Sequence, residues 1–468
     1  MAIVDVMGFA NAVRGRRSTD DRWSFRAGKP YAIKRADSPD EWLAVALQAE
    51  RYIAGFQLEN DDGVYWEGVG GEAPNPGYAD GSAGILHFYI QLARVTQDPR
   101  HWETARRSAS WIRSKVGEAP VTMLEGFDSC YGLMLLEAAA VFQDPTYAEA
   151  ARRFAQRYLL HYEQGEHGFY WTGNTAWVKD GGIILFLLAL GRYLDDPAIL
   201  DVVRRAGAQY LSEGNPDGDG HLVFDGHFGG TFSVEGVVFH MEHNMPNWEF
   251  GAAGSGYILL KLYELTGERR YLDAAFDQLR YLRSVAVPQT KGVLIPRSLG
   301  PEERDLFPLG HCHGIAGTGL FPFLLHQLTG DKSAVEFLVA LADGFEAVGA
   351  PEHQSRGLWN IDTLCCGHAG LVHYFVGLYL ATGESRWHDL AIRCGNVILG
   401  MKEDLGEGRA DWPIAFWRQK PDDITRPHSL FRGAAGIGLA LVEIAMMERG
   451  DFTLDRFIDD PFPTRWAA

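Results

Sequence analysis

The stretch DTLCCGHAGLVHYFVGLYLATG, residues 362–383, places two adjacent cysteines just before a Gly-x-x-Gly motif and an apolar run. Gly-x-x-Gly opens a similar apolar run in three other segments, and a Thr-Gly pair closes two of them at the same distance. These segments are NWEFGAAGSGYILLKLYELTGE (247–268), GHCHGIAGTGLFPFLLHQLTGD (310–331) and HSLFRGAAGIGLALVEIAMMERGD (428–451). Self-similarity of this kind is the sequence signature of a repeat architecture.

Three more segments bring the number of repeat units to seven. The segment at 78–99 fits the same frame through Gly81 and Gly84. The segments at 125–145 and 176–197 match more weakly, through the length of the apolar run and its Asp-Pro ending. Between the units lie amphipathic segments in which apolar residues recur at helical spacing.

The alternation of apolar and amphipathic helices predicts two layers. A helix that is apolar all round has to be buried on every side, whereas an amphipathic helix covers a core with one face. We therefore predict an all-α fold, an α/α toroid of seven helical hairpins with apolar helices inside and amphipathic helices outside. An open solenoid is the structural alternative, but its exposed concave face would be unusually apolar here.

No linker divides the chain, so we expect a single toroid domain over residues 40–468, preceded by an N-terminal extension at 1–39. A Gly-, Asp- and aromatic-rich insertion at about 212–246 is expected on one rim of the toroid. Its runs HLVF and FSVEGVVF predict short strands.

Composition limits the partners. The chain carries 43 basic and 61 acidic residues, a formal charge of −18, which argues against binding to nucleic acid and permits a polar or cationic peptide. No signal peptide is evident at the N-terminus. The longest apolar stretch, residues 181–191, is shorter than the ~18 residues typical of a membrane span. We expect a cytoplasmic protein with no membrane span.

The cysteines are distributed unevenly over the repeat frame. Residues before the first glycine of each unit are expected at the N-terminal ends of the inner helices, which in a toroid all face one mouth. Cys312, Cys365 and Cys366 occupy this position in neighbouring units, whereas Cys130 and Cys394 fall inside predicted helices. Three thiolates suit one Zn²⁺ and leave a fourth position open, as in catalytic zinc sites. Buried structural cysteines are the alternative interpretation, and His311, His313 and His368 are alternative ligands or neighbours.

Three motifs carry a family resemblance. Gly-His-Cys-His-Gly-Ile-Ala-Gly (310–317), Leu-Cys-Cys-Gly-His-Ala-Gly (364–370) and Ser-Leu-Phe-Arg-Gly-Ala-Ala-Gly (429–436) resemble the signature blocks of lanthionine synthetase C-like proteins. The resemblance covers roughly residues 40–450 and agrees with that family's seven-unit toroid. It implies that Cys312, Cys365 and Cys366 are the zinc ligands.

The resemblance also implies a reaction. It is a Michael-type addition of a peptide cysteine thiol to dehydroalanine or dehydrobutyrine, which gives a thioether (lanthionine) ring. The substrate is then a dehydrated precursor peptide. The adjacent-thiol motif is similar to that of the family's dehydratase-fused branch, but no dehydratase domain is present here. A separate dehydratase or kinase-lyase is therefore the expected partner enzyme.

The acid–base group departs from the family pattern. That family usually places a histidine directly before the glycine of the fourth unit, where this chain has Phe250. His240 and His243, just upstream in the rim insertion, are candidate replacements, and Glu249 is a further candidate at the same rim.

Two other residues are expected near the reacting atoms. Asp128 is the nearest match to an aspartate that the family uses near the second unit, with Glu125 as a competitor. Arg432 is a candidate to stabilise the enolate oxygen. A structural ion pair between Arg432 and Asp80 is the alternative interpretation.

Three other functions fit parts of the sequence. The same site would serve addition of a free thiol such as glutathione to dehydroamino acids. A carbohydrate-active α/α toroid enzyme would use a pair of carboxylates, drawn from Asp80, Glu125, Asp128 and Glu249, but it leaves the three cysteines unexplained. A non-catalytic peptide-binding scaffold is the third alternative.

Overall fold

A computed structural model describes residues 28–119, 125–224, 231–234, 237–240, 243–301, 303–451 and 462, with backbone alone for 231–234 and 237–240. The helices in these residues are α1 Pro39–Ala54, α2 Ser82–Thr96, α3 Pro99–Ser114, α4 Glu125–Phe142, α5 Pro145–Leu159, α6 Gly182–Tyr193, α7 Pro197–Ser212, α8 Ala252–Thr266, α9 Arg269–Val285, α10 Ile315–Thr318, α11 Leu320–Thr329, α12 Lys332–Ala347, α13 His368–Thr382, α14 Ser385–Met401 and α15 Ala434–Arg449.

Short antiparallel strand pairs connect many of the helices. In the described part of the chain they are β1 Gln57–Asn60 with β2 Gly63–Trp66, β3 Glu163–Gln164 with β4 Phe169–Tyr170, β5 Asn215–Pro216 with β6 Leu222–Val223, β7 Thr231–Val234 with β8 Val237–His240, β9 Val287–Pro288 with β10 Val293–Leu294, β11 Glu403–Gly406 with β12 Arg409–Asp411, and β13 Ile414–Ala415 with β14 Ile424–Thr425. The runs predicted as strands in the rim insertion supply β6, β7 and β8.

The helices form a closed ring of seven hairpins, which confirms the predicted α/α toroid. The inner helices are α2, α4, α6, α8, the pair α10–α11, α13 and α15, and each packs against the helix that follows it. The last inner helix, α15, instead packs against α1, so the first and last helices of the described chain close the ring. Residues 434–447 of α15 are all buried, as expected for an inner helix.

The described part of the predicted N-terminal extension is packed on the ring. The amide of Gly28 donates to the carbonyl of Gln354, and the amide of Tyr31 donates to the carbonyl of Glu352. The Tyr31 ring is buried and meets the His368 ring edge-on at 4.8 Å. Among the described helices, none combines the length and the apolar character needed to cross a bilayer.

The repeated glycines are needed for close approach. At the second glycine of five motifs, an added Cβ would lie 2.0–2.2 Å from the carbonyl oxygen six residues earlier. The pairs are Gly84 with Tyr78, Gly254 with Trp248, Gly317 with His311, Gly370 with Leu364, and Gly436 with Leu430. The first glycines have φ between −109° and −147°, which other residues also adopt. In these five units the inner helix is therefore pressed against the loop that precedes it, and this contact fixes the loop at the mouth.

We expect Gly254→Ala to destabilise the fold, because its Cβ would lie 2.0 Å from the carbonyl oxygen of Trp248. Overpacking a well-packed core typically costs about 1–3 kcal/mol. Urea unfolding would measure the change in the free energy of unfolding. Gly117→Ala is the control, because a Cβ there meets nothing within 4 Å. Equal stability of the two variants would contradict the steric role of the motif.

Candidate metal centre

Backbone hydrogen bonds join successive units at the mouth of the ring. Except for Val178 of the third unit, each residue involved lies two positions before the first glycine of its motif. The amide-to-carbonyl pairs are Val178 to Glu249 at 3.1 Å, Glu249 to Cys312 at 3.0 Å, Cys312 to Cys365 at 3.1 Å, Cys365 to Phe431 at 3.0 Å, and Phe431 to Ala79 at 2.9 Å. Equivalent positions of neighbouring units are thus in direct contact.

This backbone ring brings the three predicted cysteines together. Cys312 ends the loop before α10, and Cys365 and Cys366 end the loop before α13. The Sγ atoms of Cys312 and Cys366 are 3.2 Å apart, as are those of Cys365 and Cys366. All three sulfur atoms lie within 4.8 Å of one another.

The donor set fits a zinc ion. Two sulfurs bound to one zinc at ~2.3 Å in tetrahedral geometry lie ~3.8 Å apart, close to the separations found here. Thiolates are soft ligands that select zinc over harder cations. Cys312 is buried, whereas Cys365 and Cys366 are half-buried, so one side of the cluster is accessible. Among the described residues, this is the one group of three or more His, Cys, Asp and Glu side chains close enough to share a metal.

The three thiols differ in pKa, and the thiol of Cys312 is the one that ionises most readily. Hydrogen bonds from the Cys365 and Cys366 thiols hold the pKa of Cys312 well below its usual range. The hydrogen bond with Cys312 in turn raises the pKa values of Cys365 and Cys366 well above theirs. Thiolate coordination of a metal ion would release the remaining thiol protons.

A cavity of about 120 Å³ lies against the three cysteines. One wall is aromatic and consists of Trp359, Phe416 and Trp417. The Trp359 indole Nε1 donates to the carbonyl of Ala415 at 2.6 Å, which fixes the start of the β13–β14 loop against this wall. The cavity therefore presents apolar surface next to the candidate metal position.

Another part of the cavity lining comes from the loops before α8 and α10. The Phe250 ring stacks on the His313 ring at 4.9 Å and 12°, so the residue at the family's usual histidine position packs against another histidine. Burial lowers the pKa of His313 to about 4, and its Nδ1 has no hydrogen-bond partner among the described residues. Glu249 is buried, and its Oε1 likewise has none. Burial, with the charge at Cys312, raises the pKa of Glu249 well above its usual range.

The structure places the two predicted rim histidines differently. His243 packs against Gly300, where an added Cβ would lie 2.1 Å from its ring, and it is not among the described residues that line the cavity. His240 ends β8, and its side chain lies outside the described part of the chain.

Arg432 forms the ion pair with Asp80 that was the alternative to a role at the enolate oxygen. Its Nε lies 2.6 Å from a carboxylate oxygen of Asp80, and its guanidinium lies over the Phe416 ring at 5.6 Å. Arg432 thus connects the ring of units to the aromatic wall. Neither Arg432 nor Asp128, which is buried in α4, is among the described residues that line the cavity.

Two of the carboxylates considered for a carbohydrate-active site are held in ion pairs. Asp80 binds Arg432 and also accepts a hydrogen bond from the Ser429 hydroxyl at 3.0 Å. Glu125 lies 2.8 Å from the Lys179 ammonium. These contacts give both groups structural partners.

His368 is held away from a ligand role. Its Nδ1 is 2.7 Å from a carboxylate oxygen of Asp362, and its Nε2 is 3.1 Å from the carbonyl oxygen of Pro351. Both ring nitrogens are therefore already occupied by acceptors.

Several cavity residues were not identified by the sequence analysis. They are Arg297, Glu303, Trp359, Phe416, Trp417 and Arg418. They lie in loops that do not repeat from unit to unit, so the glycine frame does not reveal them. The sequence signal that could have pointed to some of them is the run Phe-Trp-Arg-Gln-Lys at 416–420, which is aromatic and basic in an acidic chain.

Fold and site together define a class: a closed seven-hairpin toroid with a three-cysteine candidate zinc centre at its mouth. The model of the lanthionine synthetase C-like protein family matches residues 250–453. The resemblance seen in the sequence is confirmed for this C-terminal part of the chain, which matches the lanthionine synthetase C-like family model. No curated protein matches the chain significantly.

The chain is similar to several solved structures. Nisin cyclase matches with a TM-score of 0.52 and 12% identity, over 87% of this chain and 98% of nisin cyclase. The Lin0763 protein from Listeria innocua matches with a TM-score of 0.46 and 14% identity, over 87% of this chain and 98% of its own. An inactive variant of an α-1,6-mannanase of Salegentibacter sp. HEL1_6 matches with a TM-score of 0.43 and 14% identity, over 87% and 99%. At 12% identity the likeness to nisin cyclase concerns the fold alone.

Elemental analysis of purified protein should find about one zinc ion per chain. Cys312→Ala should lose most of this zinc, because it removes one of three neighbouring sulfur ligands. Cys394→Ala is the matched control, because Cys394 is buried inside α14 and should leave the zinc content unchanged. Retention of zinc by Cys312→Ala would contradict the assignment of the metal centre.

Proposed function

We propose that this protein is a zinc-dependent lanthipeptide cyclase. It would add cysteine thiols of a dehydrated precursor peptide to dehydroalanine or dehydrobutyrine and so form thioether rings. The observation that carries the proposal is the convergence of the Cys312, Cys365 and Cys366 sulfurs within 4.8 Å, next to a cavity. The match of residues 250–453 to the lanthionine synthetase C-like family model supports it.

Cys312, Cys365 and Cys366 would hold the zinc ion. When bound, zinc lowers the pKa of a coordinated substrate thiol, so that a thiolate is present at neutral pH. The reaction joins the thiol sulfur to the β-carbon of the dehydro residue and delivers a proton to its α-carbon. No atom leaves the peptide, so the mass does not change on ring formation.

Glu249 is the predicted acid–base residue best placed to move this proton. It lines the cavity, its amide is bonded to the carbonyl of Cys312, and its Oε1 has no hydrogen-bond partner among the described residues. The stacked rings of Phe250 and His313 line the same cavity. The aromatic wall of the same cavity would offer apolar surface to the substrate peptide.

The rest of the proposal follows the expectations from the sequence. A separate dehydratase or kinase-lyase would supply the dehydrated peptide, and the reaction would take place in the cytoplasm. Residues 40–468 would act as one toroid domain with a rim insertion at about 212–246. A variant of the same chemistry, addition of free glutathione, would use the same three cysteines.

Incubation with a dehydrated precursor peptide should remove free cysteine thiols, measured by alkylation, while the mass of the peptide stays constant. Cys366→Ala should lose this activity because it removes a ligand shared with Cys312, and Cys394→Ala should retain it. A product that gains the mass of glutathione would instead indicate thiol addition. Full ring formation by Cys366→Ala without bound zinc would contradict the proposed function.

Glu249→Gln should slow ring formation by about 10²–10⁴-fold, the usual contribution of a general acid or base. The zinc content should remain unchanged, because Glu249 is not one of the three sulfur ligands. His243→Gln is the comparison, because His243 packs on Gly300 and does not line the cavity. A large loss in His243→Gln together with normal rates in Glu249→Gln would reverse the assignment.

A further inference from the structure

Arg418 lies in the loop between β13 and β14, directly after the aromatic residues Phe416 and Trp417. It lines the same cavity as the three cysteines and is half-buried. The loop is fixed at its start by the Trp359 indole and turns through a hydrogen bond from the Lys420 amide to the Trp417 carbonyl at 2.9 Å. Arg418 is therefore presented from an anchored segment.

The charged groups around Arg418 are paired with one another, so the positive charge of Arg418 is not balanced by them. Arg297 is paired with Glu303, and both are buried in the cavity wall. Arg356 is paired with Asp305. These four groups are the ionised neighbours that act on Arg418, and two of them repel it. Arg418 itself makes no hydrogen bond or ion pair with any residue that the structure describes.

An unpaired guanidinium in this position favours an anionic ligand. Arginine remains charged when partly buried, and partial loss of its hydration is unfavourable unless another group takes over its hydrogen bonds. The planar guanidinium matches a carboxylate through two parallel hydrogen bonds. The chain carries a net charge of −18, so a surplus positive charge here does not reflect a general excess of basic residues.

We infer that Arg418 binds a carboxylate of the substrate peptide and so selects peptides that carry one close to the reacting cysteine. This inference rests on the proposed function, because it places the carboxylate next to the candidate zinc centre. Two parts of a peptide supply this chemistry: the side chain of an Asp or Glu that flanks the cysteine, and the C-terminal carboxylate. Arg418 is then a specificity-determining residue of the peptide site.

Binding of non-cyclising peptides, in which serine replaces the reacting cysteine, tests the inference directly. Trp359 and Trp417 line the cavity, so tryptophan fluorescence should report binding. One peptide pair differs in a flanking Asp or Asn, and a second pair differs in a C-terminal acid or amide. The wild type should bind the acid member of one pair about 10–100-fold more tightly, as for a hydrogen bond to a charged group, and the pair that responds identifies the source.

Arg418→Gln should abolish this preference by weakening binding of the acid peptide to the level of the neutral one. Arg418→Lys should restore part of it, since lysine keeps the charge but lacks the paired geometry. Arg386→Gln is the matched control, because Arg386 has its own partners, Asp343 and Glu346, and is neither a cavity residue nor one of the charges that act on Arg418. Its preference should stay within about twofold of the wild type.

The outcomes separate the two proposals. In one outcome the wild type forms rings, but Arg418→Gln leaves the ratio of acid-peptide to neutral-peptide binding unchanged. This outcome would overturn the carboxylate site and leave the cyclase intact. A preference that depends on Arg418, found in a protein that forms no rings, would support the carboxylate site and overturn the cyclase.

Discussion

The backbone hydrogen bond from the Cys312 amide to the Cys365 carbonyl, 3.1 Å long, is the contact on which the candidate site depends. It joins two loops that are far apart in the sequence and belong to neighbouring units. The bond exists because each loop is pressed onto its own inner helix at Gly317 and Gly370, where no side chain would fit. Similar bonds run from unit to unit around the mouth. The position of the sulfur atoms thus depends on contacts throughout the ring. Packing of α1 against α15 closes the ring and so supports the site, although the cysteines belong to other units.

This dependence explains what the sequence was able to predict. The glycine frame and the apolar runs are periodic and local, so they reveal the seven units, their inner and outer helices, and the level at which Cys312, Cys365 and Cys366 lie. The stacking of Phe250 on His313 and the packing of His243 on Gly300 depend on loop conformations that have no period. Arg418 and the aromatic wall belong to a segment that occurs once. The fold and the cysteine cluster were therefore predictable, whereas most of the cavity was not.

The cavity combines three kinds of environment within a small volume. The cysteines concentrate negative charge that a metal ion would neutralise. Beside them, Arg297 and Glu303 compensate each other in the wall, and Glu249 is buried without a cationic partner among the described residues. Arg432 binds Asp80 while its guanidinium lies over Phe416, so the ion pair between the first and last units also contacts the aromatic wall. Structural contacts at the mouth and the shape of the cavity are thus linked through the same residues.

X-ray absorption at the zinc edge of the purified protein tests the central claim most directly. A shared site for Cys312, Cys365 and Cys366 predicts three sulfur ligands at ~2.3 Å, and one sulfur fewer in any zinc that Cys312→Ala retains. A first coordination sphere of nitrogen and oxygen at ~2.0–2.1 Å, with no sulfur, would contradict the account.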